Sequence, residues 1–341
     1  MDHPGLREFL RLDDFIMPLL LLSFITIPIV AEGRVARTMA VSVSGGVIEI
    51  TFPEAPTKVS RQDLLDWVHA AAEAVSNYYG RFPVPRLALS IQAGSGSGVR
   101  HGVTYPRDGG FIRITVGEEA EVSQLKDDWI LTHEMIHLAF PSMPKEHHWI
   151  EEGISTYVEP VARAQVGQIP ITEVWKQWIR DMPQGEPGPG DEGLDHTPTW
   201  GGTYWGGAMF CLVAEVRIRE RTQNRKGLRD ALRGILNAGG VITQNWDIKR
   251  ALEAGDKATR ADVLRTLYTE MATKPDPVDL GELWQKLGVR MEDGEVVFDD
   301  SAQEAAIRKA ITAPPGKHSV RRLSGTFPCG LREGRKAERS L

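Results

Sequence analysis

The sequence is poor in cysteine and in positive charge. Its 341 residues include only two cysteines, which excludes a fold held by several disulfides and a zinc ribbon with four thiolate ligands. Its 40 Lys and Arg are outnumbered by 46 Asp and Glu, for a formal net charge of −6. Because general nucleic-acid binders normally present a basic face, we expect no nucleic-acid partner. The remaining composition, with 41% hydrophobic residues, is that of a globular protein of one large or two smaller domains.

Long apolar runs are also missing, with one exception near the N-terminus. Residues 15–30 read FIMPLLLLSFITIPIV and carry no charge over sixteen positions. Since a membrane-spanning helix needs about 20 apolar residues, this run fits the core of a secretory signal that ends at Ala31. An uncleaved signal anchor, attached to the membrane through residues 15–30, is the alternative. Both interpretations predict that residues 1–31 direct export to the periplasm or the extracellular space.

Strand patterns precede helical patterns along the rest of the chain. Alternating apolar residues predict strands at 38–52 (a hairpin broken by Gly45-Gly46), 86–92, 102–105 and 111–116. A period of 3.6 predicts helices at 60–79 (with Ser60 as N-cap), 121–140, 149–166, 171–182, 203–221, 226–238, 247–254, 259–273 and 302–312. This order predicts an α+β fold, in which a small sheet-containing lobe (32–118) precedes a mainly helical catalytic lobe (119–312). The basic tail, residues 313–341, is predicted to be disordered.

One predicted helix carries the clearest chemical motif. Residues 133–137 read His-Glu-Met-Ile-His, and positions i and i+4 of a helix share one face. His133 and His137 can therefore bind one metal ion, while Glu134, rotated by about 100°, can stand beside a water molecule without being a ligand. The neighbouring residues are apolar, which predicts burial, and buried polar groups need partners such as a metal ion. The competing interpretation is a pair of hydrogen-bonded core histidines, because so short a motif also occurs by chance.

A catalytic zinc ion usually takes a third protein ligand, and the next segment offers several. The candidates are His147, His148, Glu151 and Glu152. Glu152 lies opposite the apolar stripe of its predicted helix, so it faces either solvent or a metal cleft. The pattern of the residues alone leaves that choice open.

Taken together, residues 133–137 and the downstream segment WIEEGISTYVE (149–159) resemble the gluzincin metallopeptidases, especially the aminopeptidase-N-like family. In that family the second motif runs Trp-Leu-Asn-Glu-Gly-Phe-Ala and its glutamate is the third zinc ligand, which implies Glu152 here. Residues 203–208, TYWGGA, resemble the family's Tyr-x-Lys-Gly-Ala element, which implies that Tyr204 stabilises the tetrahedral intermediate. The three motifs follow the family's order, and the resemblance implies a zincin-like catalytic domain with one Zn²⁺ ion.

The sequence also departs from that family's pattern. Fourteen residues separate His137 from Glu152, fewer than is usual in the family, and Gly206 replaces the lysine of the third motif. No Gly-x-Met-Glu-Asn strand is found, although the family uses its acidic residue to anchor the amino terminus of a substrate. The choice between aminopeptidase and endopeptidase action therefore stays open.

These patterns predict a zinc-dependent peptidase that acts on peptide or protein substrates. Glu134 is predicted to be the general base and Tyr204 the donor to the oxyanion. We expect a substrate to add to 111–116 as an edge strand, with close approach at Gly109-Gly110, and the loop 183–200 to act as a lid. The alternatives are a catalytically inactive zincin-fold binding module in the cell envelope and a zinc hydrolase for a non-peptide substrate.

Overall fold

A computed structural model describes residues 38–55, 57–196 and 198–314. Within these ranges the predicted α+β fold is confirmed, because a sheet lobe is followed by a mainly helical region. The predicted leader (1–31) and almost all of the predicted basic tail (313–341) lie outside the described residues. In the described part of the chain, no helix is both long and apolar enough to cross a membrane.

The sheet of the N-terminal lobe is mixed and contains the predicted strands. Its strands are β1 (Thr38–Val43), β2 (Gly46–Thr51), β3 (Arg86–Gly94), β4 (Val99–Tyr105) and β5 (Phe111–Gly117). They lie in the order β1-β2-β3-β5-β4, where β3 is parallel to both of its neighbours and the two outer pairs are antiparallel. Of the two outer strands, β4 is the one that packs against helix α3 (Ile130–His137).

This order corrects the predicted edge strand. Strand β5, which we expected at the edge, lies inside the sheet, because it pairs with β3 on one side and with β4 on the other. Strand β4 carries polar and small residues, so its unpaired edge tolerates solvent. A Cβ at Gly109 or Gly110 would meet the Arg86 carbonyl or the Leu138 side chain, so internal packing requires both glycines. The expected close approach of a substrate at these glycines stays a prediction.

The helical region agrees with most of the predicted helices. The helices are α1 (Arg61–Tyr79), α2 (Val122–Asp127), α3 (Ile130–His137), α4 (His148–Gln165), α5 (Ile171–Asp181), α6 (Gly207–Arg221), α7 (Leu228–Asn237), α8 (Ile248–Thr259), α9 (Leu264–Met271), α10 (Leu280–Leu287) and α11 (Ala305–Thr312). Helix α10 and a small hairpin, β6 (Val289–Glu292) with β7 (Glu295–Phe298), were not predicted, because each is too short to show a clear period.

The predicted helix 121–140 is divided in two. Asp128 has an extended backbone between α2 and α3, and its carboxylate accepts hydrogen bonds from the amides of Ile130 and Leu131. It therefore caps the start of α3, as aspartate commonly does at helix N-termini. The indole of Trp67 in α1 donates a third bond to the same carboxylate at 3.0 Å. This cap fixes where the helix bearing the His-Glu motif begins.

One hydrophobic core runs through both lobes and holds α3 in place. Ser60 is the N-cap of α1, as predicted, and it also forms a capping box with Asp63. Helix α3 packs against α1, α4 and strand β4. The His-Glu motif thus lies where the outer strand of the sheet meets the first long helix of the helical region.

Candidate metal centre

Two histidines of α3 and a glutamate of α4 meet in one cleft. The Nε2 atoms of His133 and His137 lie 3.1 Å and 3.6 Å from Oε2 of Glu152. Zinc with bonds of about 2.0–2.2 Å in a tetrahedron separates its ligand atoms by about 3.4 Å, so these spacings fit. The three ligand atoms all lie within 4.8 Å of one another. The two imidazoles and one carboxylate therefore match the donor set of a catalytic zinc site.

The structure separates Glu152 from the other candidates for a third ligand. His147 points elsewhere, because its Nδ1 lies 2.8 Å from the carboxylate of Asp195. His148 contacts Glu151 and, through Nε2 at 3.2 Å, the second oxygen of Glu152. Glu151 also accepts a bond from the amide of Met143. His148 therefore contacts the carboxylate oxygen of Glu152 that does not face the two histidines. Residues that contact a metal ligand in this way commonly orient it.

The pKa values of Glu152 and His137 depend on the contact between the two side chains. Burial alone raises the pKa of the Glu152 carboxyl, but hydrogen bonds from His133, His137 and His148 bring this pKa well below its ordinary value. Burial likewise opposes the charged form of His137, yet Glu152 raises the pKa of His137 above its ordinary value overall. The pocket thus favours a negative carboxylate next to positive charge. A bound cation satisfies the same preference.

Glu134 lies in the same cleft and is held by the outer strand. The Oγ1 atom of Thr104 in β4 lies 2.5 Å from Oε2 of Glu134 and 2.9 Å from its main-chain oxygen. A Cβ at Gly102 would stand 2.7 Å from Cγ of Glu134, so that position has no room for a side chain. Gly102 and Thr104 are two residues apart, so they lie on the same face of the strand. Neither residue was predicted to support the site, although the alternation of residues along a strand was an available signal.

Close contacts between glycines bring Tyr204 to the cleft. A Cβ at Gly153, next to Glu152, would stand 2.4 Å from the Cα of Gly207. The backbones of α4 and α6 therefore touch at the two glycines of the second and third motifs. Directly before α6, residues Gly202–Gly206 form a π-helical segment that contains Tyr204. This packing explains why both motifs contain glycine, a point that their local patterns do not reveal.

Tyr204 faces the metal ligands with its phenol protonated. Its ring lies nearly parallel to that of His133, with 6.4 Å between the centroids. Burial and the charges of Glu152 and Glu134 raise the pKa of Tyr204 to about 12. The hydroxyl is therefore a hydrogen-bond donor at neutral pH.

The cleft that contains these groups has a volume of about 560 Å³. Its walls are formed by β4, α3, the start of α4 and Tyr204. Other lining residues are Arg100, His101, Val103, Pro106, Trp129, Ile130, Ser142 and Ile242. A volume of this size accommodates a few residues of a peptide.

The long loop before Tyr204 is anchored near its middle. The carboxylate of Asp195 lies 2.7 Å from the Trp149 indole nitrogen and 2.6 Å from the Tyr268 hydroxyl, in addition to its contact with His147. A buried carboxylate with three partners is a firm attachment. The predicted lid function of residues 183–200 stays a prediction, and any movement has to occur on either side of this anchor.

The comparisons with known proteins rest on the fold. No protein-family model and no curated protein matches the sequence. The structure resembles the aminopeptidase N family protein of Idiomarina loihiensis, with a TM-score of 0.58 and 12% identity over 74% of this chain. The chain covers 49% of that protein, or about half its length.

Two other solved structures are less similar. They are the M1 zinc metallopeptidase of Deinococcus radiodurans (TM-score 0.44, 15% identity, 71% of this chain and 54% of that one) and aminopeptidase A of Legionella pneumophila (0.45, 11%, 70% and 28%). At 12% identity, the likeness to the Idiomarina loihiensis protein shows a shared fold.

Proposed function

We propose that this protein is a zinc-dependent peptidase. Its zinc ion would be held by His133, His137 and Glu152, and its substrate would be a peptide or protein. The observation that supports this proposal is the position of the Glu134 carboxylate. This carboxylate lines the cleft beside the three ligands, belongs to no ion pair among the described residues, and is not needed to hold a metal.

The residues of the cleft have complementary chemical roles in this proposal. Zinc, when bound, supplies the Lewis acidity that activates water and polarises a carbonyl group. Glu134 takes a proton from the attacking water and transfers it to the leaving amine. Tyr204 donates a hydrogen bond to the oxyanion of the tetrahedral intermediate. Strand β4, with its free edge along the cleft, is the strand to which we expect the substrate backbone to pair.

The test compares the wild type with Glu134→Gln. Zinc content is measured for both, and both are assayed against a broad library of peptides with and without a chelator. We expect equal zinc contents and a loss of about 10²–10⁴-fold in the rate of Glu134→Gln, the range typical of a general base. Equal rates in the two proteins would refute the proposal. Cleavage of a non-peptide ester or amide, with no peptide cleaved, would favour the non-peptide hydrolase instead.

A further inference from the structure

Two tryptophans beside the metal centre are unusually exposed. Trp200 is 62% exposed and Trp129 is 50% exposed, which makes them the two most exposed large apolar side chains of the described residues. Exposed apolar surface next to a cleft commonly marks a binding site. Trp129 lines the metal cleft, whereas Trp200 packs against Tyr204, which lines it.

Each tryptophan lies one helical turn before a residue of the site. Trp129 precedes His133 by four positions, and their rings are 5.6 Å apart at an edge-to-face angle. Trp200 precedes Tyr204 by four positions, and their rings are 5.5 Å apart and stacked. Because Tyr204 also lies against His133, the four rings form a continuous row across the metal site. We call Trp129, Tyr204 and Trp200 the aromatic ledge.

Among the described residues, the two indoles make ring contacts with His133 and Tyr204 but no hydrogen bond. They differ in this from Trp67 and Trp149, whose indole nitrogens bind Asp128 and Asp195. The contribution of Trp129 to the start of α3 is made by its main-chain oxygen, which accepts from the amide of His133. That contribution survives any change of the side chain.

We propose that the aromatic ledge is the subsite for a large apolar side chain, above all an aromatic one, next to the scissile bond of a peptide. This proposal rests on the proposed peptidase function. The central ring of the ledge is Tyr204, whose hydroxyl is assigned to the reacting carbonyl, so a side chain on the ledge belongs to a residue adjoining that carbonyl. Rings stack favourably on rings, and a small or acidic side chain would leave the ledge uncovered.

The test uses the zinc-loaded Glu134→Gln protein, so that binding is measured without turnover. Calorimetric titrations compare peptides that differ at one position, with Phe, Leu, Ala, Glu or Lys there, and each position is examined in turn. We expect one position at which Phe binds at least about tenfold more tightly than Ala. Adding Trp129→Ala or Trp200→Ala should lower this ratio, whereas Trp→Phe at either site should keep it.

Ile171→Ala is the control, because it removes an exposed apolar side chain from α5, outside the aromatic ledge. It should leave the Phe-to-Ala ratio unchanged. Zinc content and thermal unfolding of all variants show whether the site is intact. A ratio that survives both Trp→Ala changes would overturn the proposal, as would a Lys peptide that binds as well as Phe. The peptidase proposal fails separately, when the wild type cleaves no peptide; the ledge fails when peptides are cleaved without an aromatic preference.

Discussion

The two ends of helix α4 carry the same residue in two different settings. Glu152 and Glu159 lie seven positions, or about two turns, apart and so share one face of the helix. Both are buried, at 8% and 3% exposure. Glu159 is paired with Arg163 at 2.8 Å, which makes this the arginine end of the helix. Glu152 faces three imidazoles, which makes the other end the metal end.

The two glutamates differ in role: the Glu159–Arg163 pair stabilises the fold, whereas Glu152 belongs to the candidate metal site. At the arginine end a permanent cation is built in, and Arg163 also donates to the carbonyls of Lys126 and Asp127 where α2 ends. It thereby fixes the break from which α3 begins. At the metal end the positive groups are titratable imidazoles, which can release protons and accept a metal ion. The arginine end thus positions a site whose cation comes from outside.

We expect the largest effect at the metal end. Glu152→Ala should lower zinc affinity by at least about 10³-fold, or roughly 4 kcal/mol, because one of three protein ligands is lost. Titration against a chromophoric chelator measures this affinity, and far-UV circular dichroism should show an unchanged fold. Glu151→Ala, one position earlier, is the control and should lose only about tenfold. Equal losses in the two variants would argue against Glu152 as the ligand.

Substitution of Arg163 at the arginine end should lower the stability of the protein. Arg163→Met leaves Glu159 buried without its cation, and we expect the free energy of unfolding to fall by about 3–5 kcal/mol. Urea unfolding of the zinc-loaded protein measures the change. Arg180→Met, which breaks an exposed pair with Asp181, should change the unfolding free energy by less than about 1 kcal/mol. Similar values for both arginines would mean that burial of the pair is unimportant.

The pH dependence of stability provides a finer comparison. Burial raises the pKa of Glu159 from 4.5 to about 7 despite the nearby Arg163. The folded state therefore holds a proton that the unfolded state releases, so the contribution of Glu159 is full below pH 4.5 and is lost as the pH rises through 7. Glu159→Gln should remove this decline, which amounts to roughly 3 kcal/mol. Unfolding at several pH values, compared between the two proteins, gives the result; parallel curves would contradict it.

The smallest effect is expected where β4 supports the metal end. Thr104→Val removes the hydroxyl that holds the Glu134 carboxylate and keeps the shape of the side chain. We expect kcat to fall by about tenfold, or 1.4 kcal/mol, with KM and zinc content unchanged. Thr104→Ser should restore most of the rate. A change in KM alone, or no rescue by serine, would indicate that Thr104 only shapes the cleft.

Several features of the site follow from short stretches of sequence. The spacing of His133 and His137 places both on one helix face, because the helical period is a local property of the backbone. The same period sets Trp129 one turn before His133. The predicted hairpin 38–52 and the helix capped by Ser60 are confirmed for the same reason. The resemblance to gluzincins correctly indicated the fold, whereas the catalytic roles of Glu134 and Tyr204 stay predictions.

Other features depended on contacts between distant segments, which no local period encodes. Only the tertiary structure decided that β4, and not β5, lies along the cleft, because β5 pairs with β3 on one side and with β4 on the other. The approach of Gly153 to Gly207 decided that Tyr204 stands beside Glu152. The sequence by itself thus determined the two histidines and their helix, and packing determined which carboxylate, tyrosine and strand residues surround them.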